Sequence, residues 1–123
     1  MTHRILVVED QEDLREIARL ALEGAGYEVV EAATGVEGIA KAETEHPDLV
    51  LMDIQLPVLD GYESTRRIKA LPGMARTIVI AVSSFAMRGD EEKARAAGCE
   101  GYVTKPYSPK QLVDLVRQFL AKA

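Results

Sequence analysis

Several side chains able to do chemistry stand directly after short apolar runs, where charge is least expected. Glu9 and Asp10 follow Ile5–Val8, and Asp53 follows Leu49–Met52. Ser83 and Ser84 follow Ile78–Val82, while Thr104, Lys105 and Pro106 follow Gly101–Val103. If these ends lie on one edge, the three acids converge. Two unit charges ~4 Å apart repel by roughly 4 kcal/mol at an effective dielectric of 20. A hard divalent cation with oxygen ligands answers that repulsion, and Mg²⁺ characteristically takes one or two carboxylates while keeping waters for a phosphate. Lys105 adds a mobile ammonium. Formal charges of −3, +2 and +1 then sum to zero. A carboxylate so placed can act as a nucleophile and form an aspartyl phosphate, with the cations neutralising the transferring group. The plainer reading, in which Asp53 only caps the next turn, leaves Glu9, Asp10 and Lys105 unexplained.

Such an edge requires strands that alternate with helices. Short β-rich runs bounded by turn signals read as strands, and continuous apolar ones as buried strands. They fall at Ile5–Val8, about Tyr27–Glu31, Leu49–Met52, Ile78–Val82 and about Gly101–Val103. Between the first two, Leu14, Ile17, Ala18, Ala21 and Leu22 share one helical face, as do Leu112, Leu115, Val116, Phe119 and Leu120 near the end. Thr34 with Glu37, Asp60 with Glu63 and Ser108 with Gln111 have capping-box spacing, and Pro109 suits a first helical position. Gly24, Gly26 and Gly98 stand where helices should stop. The segment Asp90–Ala97 has the weakest helical face, mostly alanine. Five β-then-α units imply an α/β fold with a parallel sheet covered on both faces. Ligands in such sheets sit beyond the carboxyl ends of the strands, where strand order reverses.

The composition narrows the remaining classes. The 123 residues suit one domain; 47% are hydrophobic and 28% charged, with a net charge of −5 that argues against a nucleic-acid-binding surface. No apolar run approaches the ~20 residues of a membrane span, and the first ten residues do not read as a secretion signal. The single cysteine, Cys99, cannot form an internal disulfide; it fits a reducing cytoplasm and reads as a small core residue. His3 and His46 lack metal-ligand spacing, and Ser83 has no histidine base at a strand end. Tyr102 reads as a packing aromatic and Met74 as a loop residue. No Gly-rich phosphate loop follows any strand.

The motifs VVED at 7–10, LMDIQLPVLDG at 51–61, AVSS at 81–84 and GYVTKP at 101–106 occur in order at the required strand ends. With them the chain resembles, over essentially its whole length, the CheY-like receiver domains of two-component response regulators. The resemblance implies a doubly wound (βα)₅ sheet of order 2-1-3-4-5, flavodoxin-like, with residues 1–123 as one receiver and no output domain. It makes Asp53 the phosphoacceptor. Asp10, Asp53 and the backbone carbonyl of Gln55 become the Mg²⁺ ligands, and Glu9 acts through water. Lys105 touches the phosphoryl oxygens, Ser83 senses them, Tyr102 changes rotamer, and Ser84 and Pro106 stand beside the site. A cis Lys105–Pro106 bond is implied as well. The phosphoryl group comes from a sensor histidine kinase or histidine phosphotransfer protein. A downstream protein reads the face of the fourth helix, fifth strand and fifth helix, including Arg88, Glu91, Arg95, Tyr102 and Tyr107; no nucleic acid or membrane is involved. Such a chain is not an enzyme beyond catalysing its own phosphorylation and slow dephosphorylation. Ser83, Ser84 and Tyr107 depart from the more frequent threonine, alanine or glycine, and phenylalanine. A phosphate-free interaction module is disfavoured because every chemical position is filled. An aspartate-nucleophile phosphatase is disfavoured because Gln55 stands where its general acid belongs.

Overall fold

A computed structural model describes residues 2–84 and 89–122. Its elements are β1 (Arg4–Val8), α1 (Glu12–Gly24), β2 (Glu28–Ala32), α2 (Gly35–Glu45), β3 (Leu49–Asp53), α3 (Gly61–Lys69), β4 (Ile78–Ser83), α4 (Asp90–Ala97), β5 (Gly101–Thr104) and α5 (Pro109–Ala121). The strands pair in parallel in the order β2-β1-β3-β4-β5. β1 pairs directly with β3, Val8 opposite Met52. Strand order therefore reverses between them, which opens a crevice beyond their carboxyl ends.

The period-two alternation of the strands divides the core into two layers. Leu6, Val8, Val50, Met52, Val79 and Ala81 face Ile68 of α3 and Ala94 of α4. Ile5, Val7, Leu49, Leu51, Ile78 and Ile80 face Ala18 and Leu22 of α1 and Leu112 and Val116 of α5. Burying one such large side chain contributes about 1.5–3 kcal/mol. Both faces of the central strands are thus fastened, so their carboxyl ends are fixed points.

Helix starts follow the expected chemistry. Thr34 Oγ1 accepts from the Glu37 N–H at 3.0 Å, and Asp60 Oδ1 accepts from the Glu63 N–H at 2.9 Å. Ser108 and Gln111 form a complete reciprocal box at 3.1 and 2.8 Å, with Pro109 at the first helical position. As expected, α4 buries only alanines, Ala94 and Ala97. Cys99 is buried, and burial pushes its thiol above the usual range, which keeps it protonated. Among the described residues no helix is long and apolar enough to cross a membrane.

Some expectations need correction. β3 and β4 each run one residue beyond their apolar runs, because Asp53 pairs with Val82 and Ser83 with Thr104. Ladder hydrogen bonds, not hydropathy, set those ends. Ile17, assigned to the inner face of α1, is 47% exposed. Met74 is in a loop but buried, with the Thr77 hydroxyl against its sulfur at 3.7 Å. Arg88 lies outside the described residues.

Between β3 and α3 the chain makes a tight three-residue turn. The Leu59 N–H donates to the Pro57 carbonyl at 2.7 Å across Val58, whose φ is +66° and whose side chain is fully exposed. A β-branched residue is poorly suited to positive φ, at a cost of about 1–2 kcal/mol. Val58→Asn should therefore stabilise the protein by roughly 1 kcal/mol, since asparagine tolerates this region. The urea midpoint checks this; a midpoint that falls or stays put contradicts it.

Candidate functional site

The crevice collects the acids as the strand ends deliver them. Asp53 ends β3 and is 3% exposed, Glu9 follows β1 and is 5% exposed, and Asp10 stands open at the rim. A carboxylate oxygen from each lies within 4.8 Å of the others. Lys105, just past β5, places its Nζ 2.6 Å from Glu9 Oε1 and 3.4 Å from Asp53 Oδ2. Its backbone N–H donates to the Ser83 carbonyl at 2.7 Å, and the Lys105–Pro106 bond is cis, as the motif implied.

Main-chain contacts hold this group in place. The Ile54 N–H donates to the Val82 carbonyl at 2.9 Å and carries the ladder past Asp53. Asp53 Oδ1 accepts from the Gln55 N–H at 3.0 Å, and the Arg15 guanidinium donates to the Glu9 carbonyl at 2.9 Å. Behind Asp53 the first residue of α3 is Gly61, whose N–H donates to the Ile54 carbonyl at 3.0 Å. A Cβ at Gly61 would strike the Asp53 carbonyl oxygen and the Ile54 Cα. The helix can sit this close only because the residue is glycine.

Three acids and one lysine leave a formal charge of −2. Burial pushes the Glu9 carboxyl up to about 7, the neighbouring Asp53 adds to the rise, and Lys105 partly offsets it. Burial alone would lower the Lys105 ammonium, but its bond to Glu9 and the charge of Asp53 outweigh that and raise it. An oxygen-rich cluster with this surplus has the donor set of a hard divalent cation. The residues fit Mg²⁺ on charge and chemistry alike.

On the other flank Ser83 is buried and Ser84 is exposed. The Gln55 side chain reaches across from the β3–α3 loop, donating from Nε2 to Ser83 Oγ at 3.2 Å and accepting the Ser84 N–H on Oε1 at 3.0 Å. The sequence reading assigns Gln55 a backbone ligand and a missing general acid but not this side-chain bridge; no spacing rule links a glutamine to a strand end 28 residues later. Tyr102 is half-buried against the layer beneath α4. Glu91 and Arg95 are exposed and paired with each other at 3.1 Å. A cleft of about 350 Å³ opens beside Lys105, walled by Leu14, Ile17, Ser84, Pro106 and Tyr107. The exposed Ile17 side chain forms part of this wall. Burial and the charge of Glu9 raise the Tyr107 phenol above its ordinary range, so it stays protonated.

Comparison with known proteins agrees with this geometry. Residues 5–117 match the family model of the response regulator receiver domain. The polar-differentiation response regulator DivK of Brucella ovis is 41% identical over 123 residues, covering 100% of both chains. A CheY-like receiver domain protein from Methanospirillum hungatei superposes with a TM-score of 0.89 at 35% identity, over 99% of this chain and 96% of that one. The receiver domain of the sensor histidine kinase PA1611 from Pseudomonas aeruginosa, with a magnesium ion coordinated in its active site cleft, gives a TM-score of 0.89 at 34% identity, over 98% and 99%. A parallel sheet of this order, an acid cluster at its switch point and these likenesses lead to one assignment: the chain belongs to the response regulator receiver domains, the phosphoaccepting modules of two-component signalling.

Proposed function

We propose that Asp53 is the phosphoacceptor and that Asp10, Asp53 and the Gln55 carbonyl hold Mg²⁺, with Glu9 joined to it through water. The carrying observation is the convergence of three carboxylates within 4.8 Å, with the Lys105 ammonium 3.4 Å from Asp53 Oδ2. Mg²⁺, when bound, supplies the positive charge that neutralises the acids and the transferring group. An Asp53 oxygen attacks the phosphorus of a phosphohistidine; the O–P bond forms as the P–N bond breaks, and the imidazole leaves. Lys105 neutralises charge on the phosphoryl oxygens and Ser83 donates its hydroxyl to one of them. The chain thereby catalyses its own phosphorylation, and its slow hydrolysis, with no other substrate. Treatment with Mg²⁺ and acetyl phosphate, then mapping of the labile adduct by mass spectrometry, tests this reading; an adduct elsewhere than Asp53 refutes it.

The donor is a histidine kinase or histidine phosphotransfer protein in the cytoplasm, where a lone protonated thiol such as Cys99 is at home. The cleft beside Lys105 supports a docking site for it, since an apolar wall next to the reacting carboxylate can seat a donor helix. Ile17→Glu should lower phosphotransfer from the protein donor at least tenfold, about 1.4 kcal/mol, and leave labelling by acetyl phosphate unchanged. Equal losses with both donors would place Ile17 in the chemistry instead. Output follows the charge. Phosphorylation takes the Mg²⁺-loaded site from zero to about −1, drawing in Ser83 and giving Tyr102 room to turn inward. The downstream protein then reads α4, β5 and α5.

A proton on Glu9 and Mg²⁺ beside it oppose each other through charge. Glu9 is an acid whose folded-state pKa, about 7, lies above the ordinary 4.5, so the folded protein holds that proton more tightly than the unfolded chain does. Without Mg²⁺ its contribution to stability is greatest below the ordinary value and falls as pH rises towards about 7. Mg²⁺ favours the deprotonated carboxylate, so the stabilisation it adds grows as that proton is lost. The rise in melting temperature produced by Mg²⁺ should grow from about pH 5 to about pH 8, flattening above Glu9's value. Melting curves with Mg²⁺ or a chelator across that range check this; a rise independent of pH contradicts it.

A further inference from the structure

The Gln55 side chain uses both ends of its carboxamide on the terminus of β4. Its Oε1 takes the Ser84 N–H at 3.0 Å and its Nε2 donates to Ser83 Oγ at 3.2 Å. The first contact fixes the orientation of the amide, because a backbone N–H can only donate. Gln55 is exposed and therefore not held there by packing. Its backbone N–H is already tied to Asp53 Oδ1 at 3.0 Å, so the loop that carries the amide is anchored on the proposed phosphoacceptor itself. One planar group thus links the loop after β3 to the last residue of β4 and the residue that follows it.

We propose that the Gln55 carboxamide is a positioning residue that engages Ser83 and the Ser84 N–H in a resting arrangement that phosphorylation of Asp53 must displace. The inference rests on Asp53 as phosphoacceptor and Ser83 as its responding hydroxyl. A phosphoryl group on Asp53 offers strong acceptor oxygens. On the adjoining end of β4, where Val82 pairs with Asp53, the donors that follow are the Ser83 hydroxyl and the Ser84 N–H, and an anion gains most from donors already aimed at it. An amide oxygen on the Ser84 N–H occupies one of these donors. An amide N–H on Ser83 Oγ holds the other at its strand end. The Ser84 contact must break before that N–H can turn to the anion, and the Ser83 contact, in which Oγ accepts, holds the hydroxyl oxygen in its resting place, so the amide biases the equilibrium toward the resting state. Its removal favours the phosphoryl-bound state.

Beryllofluoride, a phosphoryl mimic, tests this with saturating Mg²⁺. Gln55→Met keeps the length and shape of the side chain but cannot hydrogen-bond, and at an exposed position it leaves the fold undisturbed. Its affinity for beryllofluoride should rise about tenfold, equivalent to about 1.4 kcal/mol. In protein free of Mg²⁺ and beryllofluoride, the Ser84 amide proton should also shift upfield and exchange faster with solvent. Unchanged affinity would make the two amide contacts incidental; weaker binding would make Gln55 a direct ligand of the phosphoryl group. Either result overturns the proposal, as does an unmoved Ser84 amide. Asp53→Asn separates the two readings. If that variant still binds beryllofluoride, the phosphoacceptor assignment fails, and the Ser84 amide alone decides whether the carboxamide holds the strand end.

Discussion

Asp53→Asn should reduce acetyl phosphate labelling to background and at the same time raise the stability of the Mg²⁺-free protein. Asparagine keeps the acceptor for the Gln55 N–H at 3.0 Å and the strand pairing with Val82, so the fold has no reason to change. It loses the nucleophilic oxygen and one of three converging negative charges. Lys105 keeps its shorter contact, 2.6 Å to Glu9, and only the 3.4 Å contact to Asp53 is lost. Relief of repulsion is then worth roughly 1–2 kcal/mol, within the scale of two charges at this spacing. The Glu9 carboxyl should also return towards its ordinary value, since Asp53 is part of what raises it. Labelling at wild-type level would remove Asp53 from the chemistry. A melting temperature below that of wild type in chelator would show that the cluster is not self-repelling.

Gly61→Ala should cost about 2–3 kcal/mol of stability and slow labelling more than tenfold. The added methyl meets the Asp53 carbonyl oxygen and the Ile54 Cα, which are main-chain atoms that no rotamer change can move aside. Either α3 lifts away from β3 or the Asp53 backbone shifts, and displacements of about 1 Å at a reacting group can cost about 100-fold. Gly24→Ala is the matched control. It ends α1 with nothing within 4 Å of an added Cβ, so the same exchange there should stabilise by about 0.5–1 kcal/mol. Chemical denaturation and labelling rates for the two variants decide the matter. If Gly61→Ala behaves like Gly24→Ala, the close approach of helix and strand is not what demands glycine.

The sequence disclosed what backbone regularity controls. Apolar runs ending in Glu9, Asp10, Asp53, Ser83 and Lys105 located the edge, and paired residues such as Ser108 and Gln111 located helix starts, because both signals are local. The order of strands came from the resemblance, since periodicity contains no pairing information. The missed features are set by three-dimensional neighbours. Ile17 has helical spacing suited to the core, yet it is left exposed on the wall of the cleft beside Lys105. Met74 looked like loop filler because burial of a loop side chain depends on what lies under it. His46 closes α2 with φ +48°, its N–H on the Ala42 carbonyl, where glycine would be the usual signal. The two-ended grip of Gln55 depends on where β4 ends relative to the β3–α3 loop, which no one-dimensional pattern records.

At the opposite edge the strands are fastened by other means. Arg4 donates its main-chain N–H to Asp48, its Nε to Glu28 and a guanidinium N–H to the Glu45 carbonyl, joining β1 to β2 and to the approach to β3. Lys69 at the end of α3 meets Glu100 at 2.6 Å and the Thr77 carbonyl, while Glu100 accepts the Val79 N–H at 2.8 Å, joining the approaches to β4 and β5. Side-chain clasps thus stand at the amino ends and the acid cluster at the carboxyl ends, a strand's length apart. For protein engineering this separation is an allowance. Substitutions at the rim around Ser84 can be tried without touching the contacts of Arg4 and Lys69 at the far end of the sheet.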